Sequence, residues 1–371
     1  MPSRHSEISE ILVDITVAAV TEEKTFELRP AQLEEPRADE VLVRLVSVGI
    51  CATDLHFSTF LPTNAVLGHE GAGVVEQVGA GVTDLKPGDP VALAFTSCGV
   101  CKQCRTASPS YCAQFDALNF AGARADGSSA VSIDGRPVYA HFLGQSTFAT
   151  HAIANVRSVI KLPDTADLRS AGPFGCGFMT GAGTIVNILK PGPESAVAVF
   201  GAGAVGLASV MAAAASGAST VVAVDVSPAR LQTASEVGAT HVLDSREGDV
   251  VERIRAIVPD GLDGSVDTTG RADVVKDAVA ALHTRGTAAV VGVGPSENVE
   301  VEWRTLLNGR TVTGVISGSA VPQVLVPQLL AWQAAGRFPV EKLMAHYEFA
   351  DINEAAAATK RGDVVKAVLT F

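Results

Sequence analysis

Apolar and polar positions follow two different rhythms along the chain. Up to about residue 150 they alternate in short runs. Val41–Val48 and Val74–Val78 read as half-buried strands, and the turn Pro87-Gly88-Asp89 leads into another at Val91–Ala94. From about Pro191 the pattern changes to unbroken apolar runs separated by Ala-rich amphipathic stretches. Val197–Phe200, Thr220–Val224, His241–Leu243, Gly264–Asp267 and Ala288–Val291 are spaced for crossover helices, which predicts a doubly wound parallel sheet. Past about Gly318 the chain turns helical, and Val364–Phe371 reads as a closing strand.

One stretch invites a different reading. Residues 195–224 carry no charged side chain, as a membrane span would. Gly201, Gly203, Gly206 and Gly217 interrupt it, so strand, turn, helix and buried strand fit better. The length of 371 residues predicts two domains. Hydrophobic residues at 47% can fill two cores. A net charge of −12 argues against nucleic-acid or anionic-membrane partners, and 5% aromatics leave few platforms for stacking bases. Met1–Glu10 is polar and lacks an apolar signal core, so a cytoplasmic, reducing location is expected.

The run Ala196-Val-Ala-Val-Phe-Gly201-Ala-Gly203-Ala-Val-Gly206 is a strand entering G-x-G-x-x-G and then an apolar helix. Gly201 allows the tight turn. Gly203 lets the backbone approach a pyrophosphate at the helix N-terminus, and Gly206 lets the helix pack on the sheet. Asp225 ends the next strand 19 residues after Gly206. An acid there accepts hydrogen bonds from ribose hydroxyls and repels a 2′-phosphate, which predicts NAD as cofactor.

The six cysteines fall into two sets. Cys98, Cys101, Cys104 and Cys112 crowd one Gly/Ser/Pro-containing loop and suit a closed tetrahedral zinc. An iron–sulfur cluster is the rival reading. The seven-residue gap before Cys112 and the absence of a following proline disfavour it. Cys51 and Cys176 lie far apart, with Gly68-His69-Glu70-Gly71 between them. Cys51, His69 and Cys176 would give three ligands and an open zinc position. A small buried thiol and a structural histidine remain the alternative.

With these motifs in order, the chain resembles the zinc-dependent medium-chain alcohol dehydrogenases over nearly its whole length. Gly68-His-Glu-x2-Gly73-x5-Gly79-x2-Val82 matches that family's zinc signature, and the cysteine loop, the Cys176 segment, the glycine-rich turn and the terminal Lys-Ala-Val-Leu-Thr-Phe follow in its order. Phe142-Leu-Gly-Gln-Ser-Thr-Phe-Ala-Thr and Gly172-Pro-Phe-Gly-Cys-Gly-Phe are most similar to the bacterial aryl-alcohol (benzyl-alcohol) dehydrogenases. The resemblance implies an α/β fold: a GroES-like β-rich catalytic domain from residues 1–178 and 318–371, with a Rossmann NAD-binding domain, 179–317, inserted. It also implies two zinc ions per subunit and a homodimer or homotetramer.

For the site, the resemblance implies a catalytic zinc on Cys51, His69 and Cys176 and a structural zinc on the four-cysteine loop. Thr53 and His56 match a proton relay, Asp54 an acid that orients His69, and Glu70 an acid able to approach zinc. A structural hydrogen bond is the other reading of Glu70. Thr180, Val205 and Val293 match positions lining the nicotinamide, Arg230 one near the adenosine ribose, and Lys366 one on the pyrophosphate. Ala52 stands where relatives carry a basic residue. Phe95, Phe142 and Leu143 match or neighbour a pocket wall suited to primary aromatic or allylic alcohols, and the methyl of Thr53 crowds secondary ones. A thiol-adduct formaldehyde dehydrogenase of the same fold and a non-catalytic NAD-binding protein are the competing readings.

Overall fold

A computed structural model of the chain describes residues 12–295 and 298–371; the N-terminal decapeptide considered above lies outside them. The second rhythm builds a six-stranded, all-parallel sheet. Its order across the sheet is His241–Asp244, Thr220–Asp225, Ala196–Phe200, Leu262–Asp267, Leu282–Val290, Thr311–Gly314. In order of appearance that is 3-2-1-4-5-6, the doubly wound arrangement, whose direction reverses beside Ala196–Phe200. All five residues of that strand are buried, which accounts for its unbroken apolar run. The sixth strand, Thr311–Gly314, is short and mostly exposed, so its sequence carries no burial signal.

The charge-free stretch resolves into strand Ala196–Phe200, helix Ala204–Ala215 and strand Thr220–Asp225. The helix is covered on nearly every side, from Gly206 to Ala213. Its outer neighbour is the helix Gly177–Gly183, which approaches so closely that a Cβ on Gly181 would lie 2.1 Å from the Val205 carbonyl oxygen. No helix among the described residues is long and apolar enough to cross a membrane.

The alternating first rhythm builds two antiparallel systems. Leu12–Val20 and Phe26–Glu34 form a hairpin extended by Val131–Ile133 and Arg136–Pro137. Glu40–Gly49 pairs with Gly71–Val78 and His151–Asn155, and the sheet continues through Pro90–Leu93 to Val159–Lys161. The other edge of that sheet comes from the far end of the chain. Lys366–Thr370 lies antiparallel to Glu40–Gly49, with Val368 opposite Gly49, and Met344–Glu348 runs parallel beyond it. Residues before and after the parallel sheet thus share one β-structure.

Candidate active site

The short helix Ala52–Phe57 begins at Cys51, whose extended backbone starts the cap. The Asp54 carboxylate accepts the Cys51 backbone N–H at 3.0 Å. This is the reciprocal half of a capping box, and it fixes the helix entry. Asp54 is fully buried and does two further jobs: it accepts the Gly68 N–H at 3.1 Å and holds His69 Nδ1 at 2.8 Å. Gly68 has φ +88°, and a Cβ there would lie 2.4 Å from the Phe148 nitrogen, so only glycine brings the next residue into place.

In the neutral ring with Nδ1 donating to Asp54, the Nε2 of His69 keeps its lone pair. That atom is buried and has no hydrogen-bond partner, an arrangement that is costly unless something else binds it. Ligand atoms of Cys51, His69, Glu70 and Cys176 all lie within 4.8 Å of one another around it. A hydrogen bond from Cys176 lowers the Cys51 pKa well below a free thiol, and the same bond raises that of Cys176. Two soft sulfurs and one oriented imidazole suit zinc at a three-ligand site.

Glu70 faces the same space but is already engaged. Both its carboxylate oxygens bind the Lys366 ammonium, at 2.8 and 2.9 Å, and Lys366 also donates to the Ile50 carbonyl at 3.1 Å. Burial raises the Glu70 pKa. Burial also opposes the Lys366 charge, yet the anions around it, Glu70 foremost, raise its pKa. The Lys366 side chain is 2% exposed, and its ammonium compensates the buried Glu70 carboxylate.

Thr53 Oγ1 lies 3.6 Å from Cys51 Sγ, and His56, three residues on, is exposed at the helix end. No hydrogen bond joins the two directly. Ala52 is exposed at the first helical position.

In the cysteine loop all four sulfurs also lie within 4.8 Å of one another, with Cys101–Cys104 at 3.5 Å and Cys98–Cys104 at 4.0 Å. Tetrahedral zinc with bonds of about 2.3 Å separates its sulfurs by about 3.8 Å, so the spacing fits. Backbone N–H groups point at the sulfurs, from Cys101 to Cys98 at 3.3 Å and from Cys98 to Cys112 at 3.3 Å. Such donors favour thiolate: the Ala113 and Cys104 N–H groups bring the Cys101 pKa down to about 6.

At the glycine-rich turn, Gly201 has φ +92°, and a Cβ on Gly206 would lie 1.8 Å from the Gly201 carbonyl oxygen. Gly203 differs, because a Cβ there would meet nothing within 4 Å. Neither φ nor protein packing requires glycine at this helix N-cap, and the open side suits close approach of a phosphate. Asp225 reaches across the turn to accept the Ala202 N–H at 2.6 Å and the Ser227 N–H at 2.8 Å. Thr180 and Val205 are partly exposed on the two facing helices, Arg230 is half-buried on Pro228–Glu236, and Val293 is 90% exposed.

The pocket expectation changes in detail. Phe142 meets the His69 ring edge-on at 5.5 Å but is 0% exposed, and Phe95 and Leu143 are buried too. The residues 141–147 that carry Phe142 are held in an unusual backbone. His141, Leu143 and Ser146 have φ of 61°, 49° and 54°. Gln145 pins the segment to the site: its amide donates to the His69 carbonyl at 2.9 Å and its oxygen accepts the Gly71 N–H at 3.2 Å. Sequence reasoning missed Gln145, and it missed the partly exposed rings of Phe57, Phe115 and Phe120 nearby. The four-residue spacing from Thr53 to Phe57 was the one available signal.

Two family models match the chain: the alcohol dehydrogenase GroES-like domain over residues 37–164 and the zinc-binding dehydrogenase over 204–334. A geraniol dehydrogenase of Castellaniella defragrans is 43% identical over 350 residues, 93% of this chain and 94% of its own. Among solved structures, an alcohol dehydrogenase zinc-binding domain protein from Burkholderia ambifaria superposes with a TM-score of 0.95 at 43% identity, covering 97% of this chain and 100% of its own. The benzyl alcohol dehydrogenase of Acinetobacter calcoaceticus gives 0.94 at 38% identity, with the same coverage. Fold, motifs and relatives agree: the chain belongs to the zinc-dependent medium-chain alcohol dehydrogenases.

Proposed function

We propose that this chain oxidises primary alcohols bearing an aromatic or allylic group to aldehydes, with NAD as hydride acceptor. The observation that carries the reading is the buried, unpartnered Nε2 of His69, aimed between two thiols and backed by Asp54. Relatives named for geraniol and benzyl alcohol support the substrate class. Zinc held by Cys51, His69 and Cys176 supplies Lewis acidity toward the alcohol oxygen, and NAD supplies the hydride-accepting carbon.

The chain's own residues do the rest. Asp54 keeps the proton on His69 Nδ1, so Nε2 stays a ligand. Thr53 Oγ1, beside Cys51, is placed to accept the hydroxyl proton of the substrate. His56, exposed one turn along the helix, exchanges a proton with water. Glu70 holds the Lys366 ammonium through both carboxylate oxygens beside the ligand set.

The same reading gives each subunit a second zinc on the cysteine loop and assigns catalysis to 1–178 and 318–371 and the cofactor to 179–317. It makes the protein a homodimer or homotetramer, supported by the open edge strand Thr311–Gly314 and exposed Trp303 and Leu307 near it. Six free thiols in two ligand sets suit a reducing cytoplasm. The test is turnover of an alcohol panel with NAD and NADP, followed by absorbance of the reduced nicotinamide. Benzyl alcohol should exceed ethanol clearly in kcat/KM, and NAD should be preferred because Asp225 repels a 2′-phosphate. Preference for NADP, or for secondary alcohols, would overturn the corresponding part.

A further inference from the structure

The substrate class rests on the reading above, but which side chains select it is a separate matter that the ring geometry decides. Fourteen phenylalanines are present, and most serve the core. We propose that Phe57, Phe115 and Phe120 are the residues that select the organic group of the alcohol, and that Phe142 supports them from behind without touching substrate.

Position on the helix gives the first argument. Thr53 and Phe57 are four residues apart on Ala52–Phe57, so they share a face, one turn apart. Thr53 Oγ1 is 3.6 Å from Cys51 Sγ. An alcohol whose oxygen sits by the metal ligands and Thr53 therefore carries its substituent alongside Phe57.

Ring contacts give the second. Phe142 lies 5.5 Å from the His69 ring and 5.0 Å from Phe57, so Phe57 is one ring removed from a metal ligand. Phe120 stacks on Phe57 at 5.2 Å with the planes only 14° apart. Phe115 meets Phe120 at 6.2 Å and leans on Phe95 at 5.6 Å. The row ends at Phe60, 4.9 Å from Phe57 and 57% exposed, beside His56 at 5.4 Å.

Exposure separates the rings by role. Phe95 and Phe142 are buried, whereas Phe57, Phe115 and Phe120 keep part of their surface open. Only an open ring can lay a face or edge against a ligand. Flat conjugated groups attached directly to the carbinol carbon gain most from such rings. The exposed end at Phe60 leaves room for a longer unsaturated tail.

The experiment compares benzyl alcohol with ethanol in the holoenzyme and in Phe57→Leu, Phe120→Leu and Phe115→Leu, with thermal midpoint and zinc content as folding controls. Leucine keeps apolar bulk but removes the ring. For each folded variant, kcat/KM for benzyl alcohol should drop about tenfold, mainly through KM, while ethanol changes less than about twofold. Phe142→Leu should lower the thermal midpoint and leave the ratio between the two alcohols unchanged. If Phe115→Leu alone folds, it carries the test. A benzyl-to-ethanol ratio kept in the folded ring variants, or lost only in Phe142→Leu, overturns the inference. Equal turnover of the two alcohols by the unmodified enzyme would instead overturn the substrate reading on which it rests.

Discussion

Asp54 shows how much one side chain can arrange. It caps a helix, fixes the turn at Gly68 and sets the His69 tautomer. Asp54→Asn should weaken zinc retention at the catalytic centre by about 10- to 100-fold. The cysteine-loop zinc should stay, so metal analysis after mild chelation should read near one zinc per subunit where the unmodified protein holds two. His141 is informative in another way. The Ala130 N–H donates to its Nε2 at 3.2 Å, which requires a neutral ring, and burial, then Arg124, pushes its pKa down to about 4. Unfolded, the same group titrates near 6.5. Between those values the unfolded chain takes a proton that the folded one refuses. The contribution is intact above about pH 6.5 and fades toward pH 4, by about 3 kcal/mol. His141→Gln should therefore narrow the gap between thermal midpoints measured at pH 7 and pH 4.5.

At the scale of elements, the cysteine loop and the Cys176 turn should respond differently to the same substitution. The loop has only a four-residue helix and a three-residue 3-10 turn of its own, so its shape depends on the sulfur cluster. Cys176 sits between Gly172–Gly175 and Gly177–Gly183, whose residues are almost all buried and keep their packing without the thiol. Cys104→Ser should lower the thermal midpoint by several degrees, while Cys176→Ser should abolish turnover with a midpoint within about two degrees of the unmodified protein. Equal losses in calorimetry would contradict this division. The elements themselves were legible where one physical cause dominates. Buried parallel strands read as apolar runs, and Gly201 and Gly206 betray their turn because no other residue fits. The ring roles were not legible. Phe142 and Phe120 look alike in sequence, and only tertiary packing hides one and opens the other. Lys366 likewise stands in an ordinary strand pattern, and its burial follows from a partner almost three hundred residues away.

Across the whole molecule, the parallel sheet is continuous in sequence, whereas the sheet behind the metal ligands draws strands from both sides of it. The Lys366–Glu70 pair crosses that divide with both groups almost fully buried. Removing one partner of such a pair strands the other charge. Lys366→Met should cost about 3–5 kcal/mol of stability. Denaturant titration should show the loss, and the double substitution with Glu70→Gln should recover part of it.

This long-range pair also imposes an order on biosynthesis. Glu70 and Lys366 are 296 positions apart, so at about 5–20 residues per second the ammonium leaves the ribosome roughly 15–60 seconds after the carboxylate. In that interval the parallel sheet can fold as its own unit. Until then the strand Glu40–Gly49 lacks its neighbour Lys366–Thr370, and the Glu70 carboxylate lacks its cation.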